Sequence, residues 1–278
     1  MSENFCAIAA LTRYGKCLAL AQRAPALVTW RCPQTTLDRR MAFLQSHPPR
    51  QPIFRAPPVV LGVIGILAAL HLARVNMSGD VADAIVTQFA FFPERYGRAF
   101  LESHAVSPVW EAIPFLSYMG LHASWTHLVI NCLWLLAFGP IVARRFGSVL
   151  FLAFFLVCGV AGALAYLAFN WASPNPVIGA SGAIAGLMAA GIRMLPGQAP
   201  WAHPGEAPLA PMFSRQILVF TGLWTAINLL TAFTGLGMGG ESGLIAWQAH
   251  LGGFAAGLLL CGPFDGLRPR VVGTPLDS

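Results

Sequence analysis

The chain has 278 residues, of which 56% are hydrophobic and 10% charged, and its mean hydropathy is +0.64. Soluble domains carry about 25% charged residues, so a soluble globular fold is excluded and an integral membrane protein is indicated. The net charge of +6 reports topology in such a chain rather than nucleic-acid binding.

The apolar stretches are long enough for helices and lack strict alternation, which selects an all-α polytopic architecture over a β-barrel. Residues 1–55 read as a cytosolic tail containing Arg13, Lys16, Arg23, Arg31, Arg39, Arg40, Arg50 and Arg55. These charges leave no signal peptide in it. Met41 is a candidate true start, which would make residues 1–40 non-native, and an Arg-rich mitochondrial presequence is the competing reading.

The first span covers about 56–73, with His71 near its far end. A long connection follows, from 75 to about 114. Val81, Ala84, Ile85, Phe89, Phe91 and Phe92 alternate there with acids and Arg95, the pattern of a helix half-sunk in the membrane interface. The second span runs over about 125–143 and stops at Arg144-Arg145; the third covers about 149–169. The fourth, 181–192, is short. A proline-rich loop (194–215) leads to the fifth span at about 216–233, and a glycine-rich loop (234–242) leads to the sixth at about 247–264. Residues 266–278 form a second cytosolic tail, so that 56–265 is one six-span membrane domain. Fourteen Lys and Arg fall on the side of the two termini and three on the other, which places both ends in the cytosol.

With that orientation, spans two, four and six all start at the external face. Their first turns hold His127 and Asn131, Ser181, and His250. Each is costly in lipid and should face the bundle interior. His127 and Asn131 are four apart and share a helix face. Ser181 lies in Gly179-Ala180-Ser181-Gly182, at the start of a helix whose free N–H groups and positive dipole end favour an oxyanion. Twelve helical residues span roughly 18 Å of a core about 30 Å thick, which sets Ser181 on the order of 10 Å below the external surface. His250 is followed by Gly253 and Gly257, a small-residue stripe that matches Gly182 and Gly186 and permits close backbone approach. That approach would bring the imidazole to the Ser181 hydroxyl, an activated nucleophile. None of the acids lies within a span, so a Ser–His dyad is expected rather than a triad. The cysteines (Cys6, Cys17, Cys32, Cys132, Cys158 and Cys261) show no metal or disulfide spacing. The two histidines lack a carboxylate or thiolate at ligand distance, so neither metal nor cofactor is expected.

Three motifs in order, His122-x4-His127-x3-Asn131, Gly179-Ala180-Ser181-Gly182 and Ala249-His250-x2-Gly253-x3-Gly257, resemble those of the rhomboid intramembrane serine proteases. The resemblance covers about 56–265. It implies a six-transmembrane-helix rhomboid-like bundle in a bacterial inner (plasma) membrane, acting on transmembrane protein substrates within the lipid bilayer. It implies Ser181 as nucleophile, His250 as general base, and His127, Asn131 and the Ser181 amide as oxyanion donors. His122 resembles a histidine that orders the external loop. Two positions depart from the pattern. Ile113-Pro114 stands where the family often has Trp-Arg, which puts the loop's anchoring in question. Ala185 stands where an aromatic often stacks on the base, which predicts a His250 held less firmly. A non-catalytic relative that binds and routes membrane proteins is the alternative, although such relatives usually lose the serine or the histidine. A small transporter is a third reading, disfavoured by the lack of an inverted repeat and of Asp, Glu, Lys or Arg inside a span.

Overall fold

Helix α1, Pro58–Val75, opens on a proline, whose fixed φ and missing N–H suit a first helical turn, and carries Arg74 in its last turn against the negative dipole end. The computed structural model describes residues 56–103, 107–195, 207–234 and 246–268. The tail 1–55, the loop prolines Pro196, Pro200 and Pro204, the glycine-rich stretch 235–245 with Glu241, and the chain beyond 268 lie outside the described residues.

The connection after α1 is a chain of short elements. Helix α2, Gly79–Phe89, places Asp80 in its first turn and buries none of its residues. A 3-10 turn (Pro93–Tyr96), α3 (Arg98–Ser103), α4 (Pro108–Ala112), α5 (Pro114–Ser117) and a second 3-10 turn (Tyr118–Gly120) follow. Prolines begin three of these pieces and set where each starts. Phe91 gathers them: its ring stacks on Tyr96 at 5.2 Å and meets Phe115 edge-on at 4.7 Å. It also exchanges backbone hydrogen bonds with Val177, of 3.1 and 2.9 Å. The Tyr96 hydroxyl donates to the Glu111 carbonyl, and the Ser117 hydroxyl to that of Phe89. These bonds and the aromatic cluster anchor the loop that has Ile113-Pro114 instead of Trp-Arg.

Helix α6, Trp125–Phe169, is continuous except at Gly147, whose φ of 76° and ψ of 170° break it into two limbs. His127 and Phe138 of the first limb lie against Gly179 and Gly191, so that limb runs parallel to the helix they flank. Gly159 and Gly162 of the second limb lie against Ala183 and Gly182, so it runs back the other way. Spans two and three are therefore joined by a single non-helical glycine rather than by a loop over 144–148.

Helix α7, Ser181–Met194, is the axis of the domain: every residue from Gly182 to Met194 is buried. Such a helix must be apolar on all sides, and only small residues let three neighbours reach it. Helix α9, Trp247–Leu267, runs parallel to α7, with Gly253 and Gly257 against Gly182 and Gly186. A Cβ at either α9 position would stand inside contact distance of an α7 carbonyl. Helix α8, Arg215–Thr234, is peripheral and buries only Ile217 and Asn228. Large apolar side chains such as Ile66, Leu133, Leu218 and Phe233 point outward, the surface a bilayer requires. Among the described residues, three helices, α1, α6 and α8, are long and apolar enough to cross a membrane; α9 is of similar length but is diluted by glycines, Gln248 and His250.

Away from Ser181, the ends of several helices are pinned by charge. The Arg145 guanidinium donates to both Asp265 oxygens (2.6 and 2.9 Å) and to the Ala207 carbonyl at 2.8 Å. Arg193, also buried, donates to the carbonyls of Ala210 and Leu258. Arg145 and Arg193, two of the charges counted for topology, are thus structural ties, and α9 extends past residue 264 to include Asp265.

Candidate active site

The segment ahead of α7 is held on both sides before Ser181 is reached. Val177 is paired with Phe91, and the Gly179 N–H donates to the Tyr118 carbonyl at 2.9 Å. Gly179 has φ of 111°, a conformation that L side chains rarely adopt, and a Cβ there would lie 2.8 Å from the His127 ring. Glycine is required at 179 on both counts. The Ala180 carbonyl accepts the first helical bond, from Ile184 N–H at 3.0 Å. Ser181 is consequently the first residue inside the helix rather than its cap. Its own N–H belongs to the first turn, which has no acceptor inside the helix.

The backbone contact of α7 with α9 brings His250 to Ser181: Nε2 and Oγ are 2.7 Å apart. The other ring nitrogen, Nδ1, lies 2.7 Å from Oδ1 of Asn228 on α8. Asn228 in turn donates from Nδ2 to the Trp224 carbonyl at 2.9 Å. A carbonyl only accepts, so the amide nitrogen must face Trp224 and the amide oxygen must face the imidazole. Nδ1 is then the protonated nitrogen, and Nε2 presents its lone pair to the Ser181 hydroxyl. Serine can give up its proton to that lone pair as the oxygen attacks a carbonyl.

Asn228 and Trp224 were not singled out in the sequence. The signal was there for Asn228, an amide in the middle of a mostly apolar span, since such residues are rarely turned to lipid. Trp224 lies 6.4 Å from the His250 ring, centroid to centroid, and stacks on Phe254 at 4.6 Å. It packs on the same cluster as Ala185. The base therefore has an aromatic neighbour and a hydrogen-bond partner from α8, where Ala185 had predicted a loosely held ring.

His127 and Asn131 come from the first limb of α6. The Ser124 hydroxyl caps that helix by accepting from the His127 N–H at 3.2 Å. The Ala123 N–H points at His127 Nδ1 from 3.4 Å, which makes Nδ1 the acceptor and Nε2 the donor. That Nε2 lies beside Gly179, two residues ahead of Ser181. Asn131 is buried and donates from Nδ2 to the His127 carbonyl at 2.9 Å. His122 is fully buried, edge-on to His127 at 5.1 Å, and its carbonyl accepts from Arg74 at 2.7 Å. Burial first, then the nearby His127 and His71, push its imidazole down to about 3, so the ring is neutral. His122 thus ties the end of α1 to the start of α6, behind His127.

This chain matches the Rhomboid domain family over residues 109–264. A 70-residue stretch, 25% of the chain, is 43% identical to the Rhomboid protease GluP of Bacillus subtilis (strain 168), of whose length it spans 13%. The family match takes in α6 to α9 apart from the last residues of α9, and with them Ser181, His250, His127 and Asn131. The chain belongs to the rhomboid family and is an integral membrane protein of that protease family.

Proposed function

We propose that this protein is an intramembrane serine endopeptidase that cuts the transmembrane segments of membrane proteins near the external face. The observation that carries the reading is the 2.7 Å contact between Ser181 Oγ and His250 Nε2 at the N-terminus of a buried, glycine-lined helix. In this mechanism His250 accepts the Ser181 proton while Oγ attacks the scissile carbonyl. The developing oxyanion is held by the Ser181 N–H, by Nε2–H of His127 and by the Asn131 amide. His250 then returns the proton to the leaving amine, and water hydrolyses the acyl-enzyme by the same route in reverse order. Gly179 and Gly182 keep the site narrow, Gly253 and Gly257 set the approach of the base, and His122 supports the wall that carries His127.

Six spans are assigned to 56–265: α1, the two limbs of α6, α7, α8 and α9, with 1–55 and 266–278 as cytosolic tails of an inner-membrane protein. Helix α7 has 14 residues, roughly 21 Å in a core of about 30 Å, which sets Ser181 roughly 10 Å below the external surface. A substrate helix must unwind to present its carbonyl there. Gly or Pro near its external end lowers that cost by roughly 1 to 3 kcal/mol relative to Ala, so cuts are expected in the outer third of the substrate span.

Labelling of the purified full chain with a serine-directed fluorophosphonate tests the reading. Wild type should be labelled at Ser181 and should cleave a reporter transmembrane substrate, whereas Ser181→Ala and His250→Ala should do neither. Cleavage retained by either variant would overturn the assignment, and an unlabelled, inactive wild type would leave the binding and routing role.

A further inference from the structure

Helix α8 buries two side chains, and one of them is polar. Ile217 packs in the small apolar cluster around Phe254, as any peripheral helix would. Asn228 has no such explanation, because an amide turned inward in an apolar span is expensive unless it is bonded. Its two ends are both used. Nδ2 goes to the Trp224 carbonyl one turn back, and Oδ1 goes to His250 Nδ1 on the neighbouring helix. The first bond fixes the amide's orientation, and that orientation determines what the second offers to the imidazole.

We infer that Asn228 is a positioning residue, which holds His250 in the Nδ1–H tautomer with Nε2 aimed at Ser181. The inference rests on the dyad reading above. The physical reason is that a neutral imidazole has two tautomers, and only one leaves Nε2 free to take the serine proton. An acceptor at Nδ1 selects it. The carboxylate that does this in a serine triad is missing here among the described residues, and the amide oxygen supplies the same acceptor without charge. Because the acceptor comes from α8, the ring's orientation depends on where that helix sits. An outward displacement of α8 would release Nδ1 and leave Ser181 without a correctly oriented base.

Nitrogen-15 spectra of the histidine rings in the detergent-solubilised full chain test the tautomer directly, with the His250→Gln protein assigning the signal. Nδ1 should be protonated and Nε2 unprotonated in wild type; the opposite pattern overturns the inference with no other variant needed. In kinetics, Asn228→Leu keeps the branched shape and removes the acceptor. It should lower kcat for a reporter substrate by about 10- to 100-fold, the scale seen for residues that orient a functional histidine, with KM within about twofold, and should mix the two tautomer signals. Asn228→Asp restores an oxygen at Nδ1 and should recover most of that loss. Wild-type turnover in Asn228→Leu, or an Asn228→Asp protein no faster than Asn228→Leu, overturns the inference. Failure of the dyad reading shows differently, as wild-type protein that no fluorophosphonate labels at Ser181.

Discussion

Gly253→Ala offers a way to displace the base without altering any polar group of the site. Gly253 sits one turn after His250 and faces the Gly182 backbone; a Cβ there would lie 2.7 Å from the Gly182 carbonyl carbon. Carbon atoms pack at roughly 3.5–4.0 Å and the Gly182 carbonyl oxygen lies closer still, so α9 would have to retreat from α7 by at least about 1 Å. The contact between His250 Nε2 and Ser181 Oγ, now 2.7 Å, would open to about 3.7 Å, beyond the range of an O–H···N hydrogen bond. Overpacking of this kind costs about 1–3 kcal/mol of stability, while a displacement of about 1 Å at a reacting pair costs on the order of 100-fold in rate. Activity should therefore fall much further than folding does. The assay is the rate of fluorophosphonate labelling at Ser181, measured beside thermal unfolding in the same detergent. A variant that labels at the wild-type rate would refute the argument that this backbone contact sets the distance between base and nucleophile.

Asp265→Ala should do the reverse. It takes both carboxylate contacts from Arg145, whose side chain is only 3% exposed, and should cost about 3–5 kcal/mol of stability measured by chemical unfolding. Because Asp265 lies 15 residues beyond His250 on α9, about 22 Å along the axis, turnover per folded molecule should stay within about twofold; a loss below 1 kcal/mol would mean the tie is ornamental. Gly179→Ala forces a side chain into a φ of 111° and against His127, a strain of about 1–3 kcal/mol. It should lower kcat while leaving the tautomer of His250 unchanged in nitrogen-15 spectra, and an altered His250 signal would show that the two walls of the site are not independent.

The all-α membrane architecture was legible because every helix long enough to cross carries an apolar surface all round, and composition alone registers that. The convergence of His127, Ser181 and His250 was legible for a related reason. Polar residues in lipid have few places to go, and an up-and-down order of spans would put these at one depth. The partner of Arg145 was not legible, because a charge beside a span end looks the same in sequence whether it meets headgroups or the half-buried Asp265, 120 residues away. The break at Gly147 was placed too wide, since Arg144 to Ser148 contains nothing that forbids helix except the glycine. For Asn228 the amide itself is the signal, whereas nothing marks Trp224, because a period of 3.6 residues says which side chains share a face but not which face of α8 turns inward.

That last gap bears on how the site works. The sequence departs from the family pattern at Ala185, and on that ground alone His250 should be loose. In the structure the support has moved from α7 to α8: Trp224 stands beside the ring and Asn228 holds Nδ1. Support from α7 would be permanent, because α7 is buried along its whole length from Gly182 to Met194 and cannot shift without unpacking the domain. Support from α8 is conditional, because α8 buries two residues and rests on the others through one face. If a substrate helix reaches Ser181 by displacing α8, the ring must lose Asn228 on opening and regain it before the serine can be deprotonated. Turnover would then require reclosure of α8 as a distinct step. A crosslink between α8 and the first limb of α6 should block cleavage of transmembrane substrates and leave labelling of Ser181 by a small fluorophosphonate intact, since the closed state is the one in which the base is aligned. Cleavage of transmembrane substrates at the wild-type rate in the crosslinked protein would mean that α8 is not the moving part and that Asn228 holds His250 throughout the cycle.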